Sequence, residues 1–157
     1  MAALVFCGAC SPGVSGEPVA ELWDPCTIPS DALRKAGVTP EALASGTVDH
    51  NDNDWLYCSY RQGDHVLSIS STHTSMDTIA SNTRASGLTS EEVSGRGALV
   101  YSELVGTSDE TCYVTYGTTF GAIEFAVNTT GTDEGTATDL CDSARHFAGT
   151  FEELTPQ

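Results

Sequence analysis

Cys112-Tyr113-Val114-Thr115-Tyr116-Gly117-Thr118-Thr119-Phe120-Gly121-Ala122-Ile123-Glu124-Phe125-Ala126-Val127 is the stretch on which the architecture turns. Cys112, Val114 and Tyr116 fall on alternate positions, and so do Ile123, Phe125 and Val127, with a glycine-bounded turn from Gly117 to Gly121 between them. A period of two marks strands that bury one face, so the stretch predicts an antiparallel hairpin. A Thr- and Gly-rich loop at 128–135 follows. Beyond it Leu140, Ala144, Phe147, Ala148 and Phe151 recur at helical spacing, with Cys141 flanking the stripe. Thr136 and Asp139 approximate a capping box at the start of that helix. An apolar stripe has to be buried, and the hairpin offers the nearest apolar surface. The expected unit is a helix lying on a sheet.

Upstream, the first half repeats the second in outline. Leu56, Cys58 and Tyr60 alternate along one strand, Arg61 to Asp64 makes a turn, and Leu67 and Ile69 continue a second strand from His65 to Ser71. Met76, Ile79 and Ala80 predict a modest helix over 75–84. Glu91 to Ser94 reads as a short strand, and Ala98 to Leu104 as a longer one with Val100 and Leu104 on one face. Nearer the start, Ser30 caps a short helix that points Leu33 and Ala36 inward and ends at Gly37. Val38-Thr39-Pro40 is read as one more helical turn, and Thr47 to Asp54 as a polar loop. The fold class is therefore α+β: an antiparallel β-sheet packed by N-terminal, middle and C-terminal helices.

At 157 residues the chain has room for one domain with a real core. Its 22 acidic residues against 6 basic ones give a formal charge of −16. Arg34, Lys35, Arg61, Arg84, Arg96 and Arg145 are too few and too scattered to neutralise a phosphate backbone, which argues against nucleic acid as a partner. Leu4 to Ala9 is too short to span a bilayer, which needs ~20 apolar residues. It reads as the remnant, over 1–9, of a lipoprotein signal peptide whose true start lies upstream. Gly8-Ala9-Cys10 resembles a bacterial lipobox, with Cys10 the residue to be lipidated. Two acyl chains there would suffice for a stable membrane anchor. Residues 10–22 then form a flexible tether, and 23–157 a single domain on the extracytoplasmic face of the cell membrane.

Of the six cysteines, Cys7 leaves with the signal and Cys10 carries lipid. Cys26, Cys58, Cys112 and Cys141 remain, an even number in an exported domain, and they imply two disulfides with three available connectivities. Pairing neighbours in sequence staples helix to strand twice, so the expected bridges are Cys26–Cys58 and Cys112–Cys141. No Cys-x-x-Cys spacing among the four supports zinc.

The residues that carry a family likeness are now in view. Asp24-Pro25-Cys26, Ile28-Pro29-Ser30-Asp31-Ala32-Leu33 and Ala36-Gly37-Val38 open the match. Cys58-Ser59-Tyr60, Val93-Ser94-Gly95-Arg96-Gly97-Ala98, Cys112 and Asp139-Leu140-Cys141 with Ala144 continue it. Ser15-Gly16-Glu17-Pro18-Val19 resembles the segment that follows the lipidated cysteine in such proteins. Together they resemble an actinobacterial lipoprotein family catalogued as a domain of unknown function (family 3558). The resemblance implies a secreted, lipid-anchored α+β domain of the cell envelope, similar to the Mog1/PsbP-like sheet-and-helix sandwiches. It brings no catalytic residues.

In Asp49-His50-Asn51-Asp52-Asn53-Asp54 oxygen ligands alternate from Asp49, which makes Asp49, Asn51, Asp52 and Asp54 calcium candidates, but an EF-hand needs Gly and Glu where Asp54 and Tyr60 stand. A solvated turn is the expected reading. His50, His65, His73 and His146 lack ligand-like spacing. Ser70, Ser71, His73 and Asp77 are the residue types of a catalytic triad, yet they crowd one strand-to-helix turn. Neither a nucleophile elbow nor a P-loop nor a zinc-protease helix occurs, so an enzyme is not expected and no cofactor is implied. Arg96, a lone arginine between two glycines, is a candidate clamp for an anionic ligand or a turn paired to a carboxylate. Asn128-Thr129-Thr130 matches a glycosylation sequon. The expected role is a non-enzymatic envelope lipoprotein that binds a protein or small ligand. The alternatives are an envelope hydrolase with an unrecognised site and a structural subunit of an envelope complex.

Overall fold

The computed structural model describes residues 21–50, 53–81, 85–105, 109–129 and 137–157. The signal remnant, Cys7, Cys10, most of the tether, Asn51, Asp52, Arg84, Thr130 and the Thr136 cap lie outside these residues. The predicted hairpin is β6 (Asp109–Thr118) with β7 (Gly121–Thr129), paired antiparallel from Thr111 opposite Asn128 to Thr118 opposite Gly121. Around it stand β1 (Ala42–His50), β2 (Asn53–Gln62), β3 (His65–Thr72), β4 (Ser86–Val93) and β5 (Arg96–Val105). All seven form one antiparallel sheet in the order β1-β2-β3-β7-β6-β5-β4. Each half is a meander of consecutive strands, and the halves join where β3 pairs with β7.

Alternation decides which face is buried. Cys58, Tyr60, Leu67, Ile69, Val100, Cys112, Val114, Tyr116, Ile123, Phe125 and Val127 all point to one side and are fully or almost fully buried. The C-terminal helix α3 (Ala137–Phe151) lays Leu140, Ala144, Phe147, Ala148 and Phe151 on that side. Phe125 and Phe151 stack with centroids 6.5 Å apart. The same face receives the N-terminal segment: Ile28, Leu33 and Val38 join the core, and the Tyr60 hydroxyl donates to the Pro25 carbonyl at 3.2 Å. The helix α1 (Ser30–Lys35) ends as its sequence dictates. Gly37 adopts φ +74°, Val38 N–H bonds Leu33 O at 2.9 Å and Gly37 N–H bonds Arg34 O at 3.0 Å, which closes a Schellman motif.

Both disulfides form as expected, Cys26–Cys58 and Cys112–Cys141, each tying a segment of this layer to a strand beneath it. The short helix α2 (Met76–Ala80) is capped by Ser75, whose Oγ accepts from Thr78 N–H at 3.3 Å. It lies on the opposite face, where Ile79 packs with Leu99, Tyr101 and Ala122.

Three local expectations differ from the structure. Thr47 to Asp54 is not a loop: Thr47–His50 belongs to β1 and 53–54 to β2, paired from Thr47 opposite Leu56 to His50 opposite Asn53. Val38-Thr39-Pro40 is not a helical turn but an irregular connection from α1 to β1, which begins at Ala42. β1 escapes a pattern reading because nearly all its residues are exposed, so no apolar alternation was required of it. Leu104 is 72% exposed and does not share the burial of Val100, for β5 runs past the edge of the helical layer.

Candidate functional site

The face of the sheet that does not carry α3 has the unusual chemistry. Tyr57, Ser70, Glu124, Thr115 and Leu99 form one row across β2, β3, β7, β6 and β5. Ser59, Ser68, Ala126, Tyr113 and Tyr101 form the next. On β7 the buried neighbours Ile123 and Phe125 point to the core, so the period of two sends Glu124 to this side.

Glu124 is nonetheless only 7% exposed. The Tyr101 ring reaches across β6, stacked on Tyr113 with centroids 4.9 Å apart, and its hydroxyl donates to Glu124 Oε2. Thr115 Oγ1 donates to the same oxygen at 3.0 Å. Burial raises the carboxyl from 4.5 to about 7; the Tyr101 and Thr115 hydrogen bonds oppose that rise, and the Glu103 charge adds to it. Burial, reinforced by the Glu124 charge, also pushes the Tyr101 phenol far above the ordinary tyrosine range.

Coverage of this face is uneven. Leu99, Tyr101, Thr111 and Thr115 are buried beneath α2 and its neighbours, whereas Tyr57, Ser68, Ser70, Tyr113 and Ala126 are half-buried. By register and side-chain size, Ser68, Ser70 and Ala126 on β3 and β7 form a shallow trough between Tyr57 on β2 and Tyr113 on β6. Ser59 and Ser68 join Oγ to Oγ at 2.7 Å on its floor. Such a surface offers ring faces, hydroxyls that both donate and accept, and one carboxyl that is largely protonated at mildly acidic pH. It suits a small ligand carrying hydroxyl or amide groups. At the other end of the face, an open cleft of about 570 Å³ lies between α2 and the β6–β7 turn, lined by His73, Met76, Phe120 and Gln157 among others. Its lining includes no Asp or Glu side chain.

The residues singled out in the sequence lie elsewhere. Arg96 donates to Gly117 O at 2.6 Å, Pro156 O at 2.8 Å and Thr155 Oγ1 at 3.2 Å, and its guanidinium stacks 4.6 Å from the Tyr116 ring centroid. It straps the C-terminal segment to the sheet, through carbonyl oxygens and not the carboxylate foreseen for a paired turn. Asp49 and Asp54 are exposed and face each other across β1 and β2. Among the described residues no group of three His, Cys, Asp or Glu side chains is placed to hold a metal.

Ser70 and Ser71 point to opposite faces. Ser71 Oγ donates to Trp23 O at 2.6 Å, and His73 Nδ1 lies 3.2 Å from Phe120 O. Asp77 sits in the first turn of α2. No hydrogen bond among the described residues joins these four to one another. His65 Nδ1 is buried without a hydrogen-bond partner among the described residues, and His146 packs edge-on against Phe147. Asn128 lies within β7, paired with Val66 and Thr111.

The sequence reading passed over Tyr101, Thr115 and Glu124. One signal was available: Glu124 is a carboxylate between Ile123 and Phe125 in a strand otherwise free of charge over 121–127. Neither the curated proteins nor the solved structures include a match to this chain. Residues 8–154 match the model of a family described as protein of unknown function (DUF3558), which takes in both disulfides, the sheet and α3. The chain belongs to that family.

Proposed function

We propose that this protein is a non-enzymatic binding module of the cell envelope, held to the membrane by lipid on Cys10, that takes a small polar ligand in the trough between Tyr57 and Tyr113. The observation that carries the reading is the buried Glu124 carboxyl on the face without α3. A desolvated carboxyl destabilises a fold unless something uses it, and apolar side chains would have served packing alone. The absence of an assembled nucleophile and base among the described residues supports binding over hydrolysis. Two disulfides support an oxidising compartment, and the Gly8-Ala9-Cys10 lipobox supports the anchor. The layering of helices on one sheet face supports kinship with the Mog1/PsbP-like sandwiches.

Native mass spectrometry of protein purified from the membranes of its own host tests the binding. Wild type is expected to carry a bound small molecule that Ala126→Arg, which fills the trough, excludes. A wild-type mass equal to that of the protein alone, with no bound molecule, or the same bound molecule on both proteins, would refute the reading. Labelled palmitate tests the anchor: incorporation is expected in the full-length gene product and should vanish with Cys10→Ala.

A further inference from the structure

The two edges of the sheet are treated differently by the sequence. β4, the edge beside β5, is broken by an irregular register between Ser86 and Thr89 and by Gly87 at φ +62°. It carries Glu91 and Glu92, and Arg145 of α3 clamps Glu91 at 2.5 Å. Bulges, charges and covering elements are the devices that stop a sheet edge from pairing with another strand.

β1, the opposite edge, has little of this protection. Its one register irregularity falls at its start, between Ala42 and Ala44. From Ala42 to Val48 it has no charged residue and no proline. Leu43 and Val48 stand 46% and 48% exposed, two of the four exposed large apolar side chains among the described residues. Only β2 among the described elements packs extensively against it. No described strand pairs the outer backbone N–H and C=O groups along these seven uncharged residues.

Acidic side chains bracket this row. Exposed Glu41 stands at one end, and exposed Asp49, backed by Asp54 across the ladder, at the other. At a strand rise of ~3.3 Å the two ends lie roughly 26 Å apart. We propose that β1 accepts, by strand addition, an extended segment of a partner protein in which basic residues bracket about seven uncharged ones. The backbone ladder supplies attraction, and the bracketing charges set the register. A chain of net charge −16 also steers a cationic segment toward itself. A second copy fits less well, because antiparallel self-pairing centred on Ser45 sets Glu41 against Asp49 twice, and like charges directly opposed destabilise a ladder.

The test uses the 157-residue protein and the peptide Lys-Lys-Thr-Val-Thr-Val-Thr-Val-Thr-Lys-Lys, followed by fluorescence anisotropy and by amide hydrogen exchange. Binding is expected to slow exchange across 42–48. A peptide with Glu in place of every Lys should bind at least tenfold more weakly. The exposed-site double variant Glu41→Lys with Asp49→Lys, checked for folding by circular dichroism, should reverse that preference. Equal binding of both peptides, no binding, or slowed exchange confined to other strands would overturn the proposal. It would also be overturned if the outward-facing amides of 42–48, those not bonded to β2, are already protected in the free monomer, or if a dimer forms that protects them.

Discussion

The two faces of the sheet are built by different rules from the same strands. On the α3 side, alternate residues are apolar, nearly all are fully buried, and two disulfides fasten the covering layer. On the other side, tyrosine, serine, threonine and the buried Glu124 stand beside a smaller apolar group, Leu99 and Ala122 with Ile79, under a helix of five residues. One face is optimised for burial of apolar area, and the other keeps polar groups at a cost. The contrast locates stability on the first face and the proposed ligand site on the second.

The largest effect should come from the first face. Phe125→Ala removes a side chain stacked on Phe151 and edge-on to Tyr116, and should cost about 4 kcal/mol in denaturant unfolding. A loss below 1 kcal/mol would break the contrast. Slightly less, about 3 kcal/mol, is expected from Cys112→Ala with Cys141→Ala, since the bridge closes a loop with a separation of 29 residues.

On the second face the sign reverses. Glu124 has a folded-state value of about 7 against an ordinary 4.5, so the folded protein holds this proton more tightly than the unfolded chain does. That contribution is fully present below pH 4.5 and fades as pH rises through about 7. Glu124→Gln should therefore flatten the pH dependence in this window. At pH 8 it should gain at most ~3 kcal/mol over wild type, at ~1.4 kcal/mol per tenfold in protonation equilibrium. Parallel stability-versus-pH curves for the two proteins would show that the carboxyl is not desolvated. The smallest effect belongs to the border between the faces and the edge. Arg145→Ala, which breaks the half-exposed pair with Glu91, should cost less than about 1 kcal/mol and less still at high salt.

The buried face was legible in the sequence because it is periodic. Cys112, Val114 and Tyr116 with Ile123, Phe125 and Val127 announce the hairpin, Leu140 to Phe151 announces α3, and the placement of the four cysteines on expected helices and strands selects both bridges from three connectivities. β1 was not legible, because Ala42-Leu43-Ala44-Ser45-Gly46-Thr47-Val48 has no buried face to impose a period. Its structure comes from its partner β2, which is a non-local cause. The Glu124 cluster was hidden for a related reason. Tyr101 and Glu124 are 23 residues apart and two strands apart, and only the register of β5, β6 and β7 brings the phenol to the carboxyl. Arg96 is conspicuous in sequence, but its partners lie about sixty residues downstream and near the end of β6.

The sheet order has one more consequence. Cys26–Cys58 closes a loop inside the β1–β3 half, and Cys112–Cys141 closes one inside the β4–β7 half. No bridge among the described residues crosses the β3–β7 seam. An oxidised, unfolding chain thus keeps each half looped, and among the described residues the connecting backbone is the one covalent link between the halves. The docking of β7 on β3 is then a reversible, intramolecular association of two crosslinked units. At high concentration it is open to exchange, with one molecule's first half received by another molecule's second.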